Sequence, residues 1–139
     1  MNWIAWSLLS ALFAAATAVL AKLGVTGVDS NLATAIRTTV ILFFTWAIAF
    51  FTVRPGALAG LSGRTWLFLT FSGLATGLSW LCYFRALQLG PASRVAPVDK
   101  LSVVFVLVLA ATFLGERITV AKAIGGVMIA AGAVVLALE

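Results

Sequence analysis

The chain has no histidine and, among its 139 residues, a single cysteine, Cys82. A lone thiol inside an apolar run builds neither a disulfide framework nor, without imidazole, any of the common transition-metal ligand sets. Carboxylates are almost as scarce: Asp29, Asp99, Glu116 and the terminal Glu139 are all there are. None forms a catalytic pair, no nucleophile has a base beside it, and no glycine loop is built to cradle phosphate. These absences argue against an enzyme and leave no metal or cofactor to expect. Charge of either sign is thin, with 9% charged residues against roughly 25% in a soluble domain.

What fills the chain instead is hydrocarbon. Hydrophobic residues make up 63%, and the mean hydropathy is +1.18. Such a chain cannot cover itself with polar surface, so its solvent must be lipid. The net charge of +5 does not signal nucleic-acid binding, because the basic residues are single, scattered and mostly at the ends of apolar runs, where they meet headgroups. Met1-Asn2-Trp3 lacks the basic leader of a secretory signal, so the first apolar run is expected to be a retained span.

A crossing helix needs about 20 mostly apolar residues, and the chain divides into five such runs with short connections. The spans are expected near 3–21, 32–53, 65–89, 93–114 and 121–138, an all-α transmembrane bundle in one domain over residues 1–139. The stops between them are legible. Asp29 or Ser30 can cap the second helix, Arg54-Pro55-Gly56 closes it, Gly90-Pro91 closes the third, and Gly115-Glu116-Arg117 the fourth. Gly73 and Gly77 form a GxxxG in the third span, and Gly125, Gly126 and Gly132 a small-residue face in the fifth. Both are expected to bring helix backbones close together.

The last third has more specific features. Phe84-Arg85-Ala86-Leu87-Gln88-Leu89-Gly90-Pro91-Ala92-Ser93 resembles the end of the third helix of an EamA-type repeat. Thr112-Phe113-Leu114-Gly115-Glu116-Arg117-Ile118-Thr119 and the run 123–132 are similar to that family's fourth-helix signature and fifth helix. Val103 stands where the family usually has a proline, and Pro97-Val98-Asp99-Lys100 lies nearer the start of the helix. The resemblance implies membership of the drug/metabolite transporter superfamily, whose common members carry two five-helix repeats of opposite orientation. Five spans correspond to one repeat.

An odd number of spans puts the two ends, Met1 and Glu139, on opposite faces, so inverted copies are needed to rebuild the two-repeat architecture. The positive-inside balance permits this. One side carries Arg54, Arg64, Arg117 and Lys122; the other carries Lys22 and Arg94, with Arg37, Arg85 and Lys100 just inside the span ends. The difference between sides is near zero and changes sign with the counting rule. Dual topology and an antiparallel homodimer are expected.

Charges inside a span cost roughly 2.5–3.5 kcal/mol near its centre and call for a reason. Lys100 can snorkel to the headgroups; Asp99 is short and cannot. Neighbours on a helix point about 100° apart, so Asp99 is expected to find a cation on another helix, Arg37 or Arg85. Its role is then substrate or ion coupling, a structural ion pair, or a first-turn acid stabilised by the helix dipole if the helix begins at Pro97. Arg37 either snorkels or offers an anion contact to a cavity, and Arg85 is similar. Ser72, Thr76, Ser79 and Tyr83, at spacings of four, three and four, make one polar stripe with Trp80 beside it. Such a stripe lines a cavity or makes interhelical hydrogen bonds. Gly115 and Glu116 fit helix termination and packing better than substrate binding.

Together these features predict a multi-pass protein of the cytoplasmic membrane, a secondary transporter of small metabolites or drugs. By the family resemblance it is an exporter, working by alternating access. The alternatives are a non-transporting membrane subunit, a component that helps pass a lipid-linked sugar, or a small-multidrug-resistance-like proton/cation antiporter. The last is disfavoured because the first span has no carboxylate, only Ser7, Ser10 and Thr17 as polar residues.

Overall fold

The computed structural model describes residues 2–138; Met1 and Glu139, expected on opposite faces, lie outside the described residues. Among them the regular structure is all helical: α1 Trp3–Gly24, α2 Ser30–Thr52, a short 3-10 turn Ala57–Gly60, α3 Gly63–Leu89, α4 Ala92–Asp99, α5 Ser102–Phe113 and α6 Val120–Leu138. With α4 and α5 taken as one span, Ala92–Phe113, five helices among the described residues are long and apolar enough to cross a membrane. Most large apolar side chains point outward, as expected where the surrounding solvent is hydrocarbon.

Short polar side chains begin four of the five spans by accepting backbone N–H groups that have no partner within the helix. Asn2 Oδ1 takes the Ala5 N–H at 3.0 Å. Asp29 takes those of Asn31 and Leu32 at 2.9 and 3.1 Å, so of the two expected caps it is Asp29 that serves. Ser62 Oγ takes the Thr65 N–H at 3.1 Å, and Thr119 Oγ1 that of Lys122 at 3.3 Å. Gly115 ends α5 with φ +68°, a left-handed conformation that suits glycine. It lets the Glu116 N–H turn back to the Ala110 carbonyl at 3.1 Å.

The fourth span is broken rather than continuous. Pro97 lies inside α4 and has no N–H to give the carbonyl one turn back. Lys100, Leu101, Val103 and Val104 then bond three residues back, to Pro97, Val98, Lys100 and Leu101. This is a tight 3-10-like turn before α5 resumes. The single helix expected over residues 93–114 is thus interrupted at Lys100 and Leu101.

The chain resolves into two compact units. The first comprises Met1–Leu23 with Leu89–Glu139, and the second Gly24–Gln88. In the first, α6 packs on both α4 and α5. Its buried positions are Ala18, Ala21, Ala110, Gly126 and Ala133, side chains small enough to let helices touch. Lys22 Nζ donates to the Gly90 carbonyl at 2.8 Å, tying the end of α1 to the start of the fourth span.

The second unit is the α2–α3 hairpin. Its buried side chains, Val25, Ser30, Thr34, Phe84 and Leu87, gather where α2 begins and α3 ends. Gln88 Nε2 donates to the Val28 carbonyl there, and Arg85 Nη1 donates to Gln88 Oε1 at 3.0 Å. The first of these holds the last turn of α3 to the loop before α2, and the second, within α3, steadies Gln88.

Candidate functional site

In the second unit a groove of about 370 Å³ runs between α2 and α3. Asn31, Thr34, Ala35, Thr38, Thr39 and Leu42 line it from α2, and Gly77 and Leu81 from α3. Each threonine hydroxyl donates to the carbonyl four residues back: Thr34 to Ser30 at 2.8 Å, Thr38 to Thr34 at 2.8 Å and Thr39 to Ala35 at 3.0 Å. The hydroxyl protons are thereby satisfied within the helix. Methyl groups and oxygen lone pairs remain for whatever enters.

Arg37, three residues after Thr34, lies on another face of α2 and does not line the groove. Its guanidinium lies over the Trp80 ring, 4.3 Å from the centroid, and 5.5 Å from that of Phe84. Aromatic faces attract a cation. The unit's one carboxylate, Asp29, is engaged as the cap of α2. Arg85, by contrast, is tied to Gln88 and belongs to the clamp at the end of α3.

The expected polar stripe on α3 is divided by the structure. The Thr76 hydroxyl donates to the Ser72 carbonyl at 2.9 Å. Thr76 and Ser79 are exposed, while Tyr83 and Trp80 are half-buried. The polar wall of the groove comes from α2, which sequence reasoning passed over. The signal was present: Asn31, Thr34, Thr38 and Thr45 recur at spacings of three, four and seven, one face of a helix.

Asp99 takes its cation from the neighbouring residue. Lys100 Nζ lies 3.3 Å from Asp99 Oδ2, which corrects the expectation that the two could not pair. The reason is the break: α4 ends at Asp99 and the backbone turns tightly at Lys100, so the 100° rule of a regular helix does not hold there. Both side chains retain substantial exposure, 38% for Asp99 and 56% for Lys100.

The glycines also sort differently from expectation. Of the five glycines expected to pack helices, only at Gly126 is space short, a Cβ there meeting Leu107 Cδ1 at 3.0 Å. At Gly73, Gly77, Gly125 and Gly132 a Cβ would meet nothing within 4 Å. Within the α2–α3 unit, then, the Gly73–Gly77 pair does not seat a neighbouring backbone, and Gly77 instead lines the groove. Glu116 Oε2 accepts from Lys122 Nζ at 3.2 Å, bridging the link between α5 and α6.

Comparison with known proteins adds the following. The model of the EamA-like transporter family matches residues 1–138. A curated protein from a Sinorhizobium species, named "Uncharacterized transporter in cobO 3'region", is 54% identical over 136 residues, covering 98% of this chain and 96% of the relative. No solved structure matches the chain significantly.

Proposed function

From the premise that the chain belongs to the EamA-like transporter family, we propose that it is a secondary transporter exporting small metabolites or drugs across the cytoplasmic membrane. In this reading it works by alternating access as an antiparallel homodimer. The observation that carries the proposal is the family match along nearly the whole of a chain with five membrane-length helices. A relative of almost the same length, itself named a transporter, supports it.

Five crossings leave the chain's two ends on opposite faces, so two oppositely inserted copies supply the inverted pair that alternating access uses. Asp99 serves as the ion-coupling carboxylate. It lies at a break in the fourth span, about 10 Å along the axis from Ala92, with Lys100 as its partner. Discontinuous helices are a recurring way to place ion sites inside membranes.

The test is flux in liposomes containing the purified chain. Wild type should move solute under an imposed ion gradient, and Asp99→Asn should stop gradient-driven movement while leaving the protein folded. Flux no greater than in empty liposomes, across a broad solute panel, would sink the transporter reading. For the dimer, two or three lysines added between Gly60 and Gly63 should make orientation uniform and reduce transport. Normal transport by the uniformly oriented protein would remove the need for inverted copies.

A further inference from the structure

We propose that the link between α2 and α3 is a seat for anionic phospholipid, with Leu58 and Leu61 entering the bilayer interface and Arg54 and Arg64 receiving headgroup phosphates. The proposal needs the membrane-spanning helices but not the transporter reading.

Three observations carry it. The first is what the link is made of. Between Arg54 and Ser62 stand Pro55-Gly56-Ala57-Leu58-Ala59-Gly60-Leu61, seven residues without one polar side chain. A link that faces water is ordinarily rich in serine, asparagine and aspartate. This one is exposed along its whole length, with Leu58 at 53% and Leu61 at 38%.

The second is how its backbone is wound. Gly56, at φ +84° and ψ −4°, completes a type II turn with Pro55, closed by the Ala57 N–H on the Arg54 carbonyl at 3.2 Å. The Ala59 N–H then donates to the Gly56 carbonyl at 3.0 Å, and that of Leu61 to Leu58 at 3.3 Å. Each bond satisfies one donor and one acceptor without water. An apolar turn needs this in order to leave bulk water for the interface, because an unpaired polar group is costly to desolvate.

The third is charge, and where it stands. Arg54 closely follows Phe50 and Phe51, and Arg64 precedes Trp66, all three rings being exposed. Exposed aromatic side chains at span ends mark the edge of the hydrocarbon, so both arginines stand at headgroup depth. Arg64 lies 5.7 Å from the Phe68 centroid, near the outer limit of about 6 Å for cation–π attraction. Among the described residues neither arginine has an ion pair. No carboxylate falls between Asp29 and Asp99, and Asp29 caps the opposite end of α2, about 33 Å along its axis. Elsewhere Lys122 meets Glu116 and Lys22 the Gly90 carbonyl. Two unopposed guanidinium groups flanking an apolar turn complement a lipid of net negative charge. Phosphatidylcholine fits less well, because its choline offsets its phosphate.

The experiment compares two lipids with the same tails. Purified protein in dodecyl maltoside is titrated with diheptanoyl phosphatidylglycerol and with diheptanoyl phosphatidylcholine, following the melting temperature. Phosphatidylglycerol should raise it at the lower concentration, and the difference should shrink as salt rises. Arg54→Gln with Arg64→Gln should shift that titration to about tenfold or more higher concentration and leave the phosphatidylcholine titration unmoved. Removing two cations elsewhere, Arg94→Gln with Arg117→Gln, should preserve the preference. Leu58→Ser with Leu61→Ser should weaken both lipids alike. Equal responses of wild type to the two lipids overturn the proposal without any variant having to fold. So does a preference that survives the loss of Arg54 and Arg64, or one lost equally in the Arg94 and Arg117 control, which would make it a matter of net charge. A leucine variant that titrates like wild type overturns the immersion of the turn. Inorganic phosphate should have no effect; a matching stabilisation would assign the arginines to a free anion and overturn the lipid. A chain that prefers phosphatidylglycerol yet moves nothing in liposomes would refute the transporter reading and leave this one standing.

Discussion

The two units of this chain solve opposite problems with similar helices. In the first, α6 lies against α4 and α5 through alanine and glycine, and a methyl group added at Gly126 would already press on Leu107. In the second, α2 and α3 are fastened at one end by Val25, Phe84, Leu87 and the Gln88–Val28 hydrogen bond, and further along a groove opens between them. Lipid offers no hydrophobic drive to bring helices together, so close packing of small residues has to do it. Where small residues line a gap instead, as Gly77 does, the helices stay apart and the gap is left open. The same residue type thus marks stability in one unit and access in the other.

The sharpest way to break this comparison is to put leucine at both places. Gly126→Leu should force α5 and α6 apart and lower stability by about 1–3 kcal/mol or more, the usual cost of overpacking. Gly77→Leu should leave the melting temperature in detergent nearly unchanged while filling the groove. Melting curves of the two variants side by side decide the matter. Equal destabilisation would mean that Gly77 also seats a helix, across a subunit interface.

A smaller effect is expected from Trp80→Leu. The ring gives Arg37 an attraction worth about 0.5–2 kcal/mol and fixes where the guanidinium points. Removing it should lower stability within that range, and Arg37→Gln should cost less in the Trp80→Leu background than in wild type. Additive losses would mean that Trp80 packs the hairpin without holding Arg37.

Much of the fold was legible because lipid simplifies the code. The five long apolar runs and the cap at Asp29 follow from the need to satisfy backbone groups internally, whereas the caps Asn2, Ser62 and Thr119 came only with the hydrogen bonds. What escaped depends on which face of a helix meets which neighbour. GxxxG records that Gly73 and Gly77 are small, but not whether a backbone occupies the space they leave. The Arg37–Trp80 contact joins residues 43 positions apart in sequence, through a cross-helix register that no periodicity encodes. Pro97 was visible, yet its consequence, the turn at Lys100 that lets Asp99 pair with its neighbour, required the hydrogen bonds themselves. The α2 threonines were readable at helical spacing and were overlooked because α3 offered a more varied stripe.

The smallest effect is expected at Glu116, and it separates the units most cleanly. Its carboxylate meets Lys122 at 3.2 Å, but the side chains remain 53% and 41% exposed. Exposed pairs of this kind contribute about 0–1 kcal/mol and are screened by salt. Glu116→Gln should therefore change the melting temperature little, and less still at high ionic strength. Gly115→Ala next to it serves as the internal reference, because a left-handed φ of +68° costs an L-residue about 1–2 kcal/mol. If Glu116 only bridges the α5–α6 link, Glu116→Gln should move solute like wild type. If transport fails while the melting temperature is unchanged, the first unit does more than hold helices together, and Glu116 would then act in the transport cycle itself.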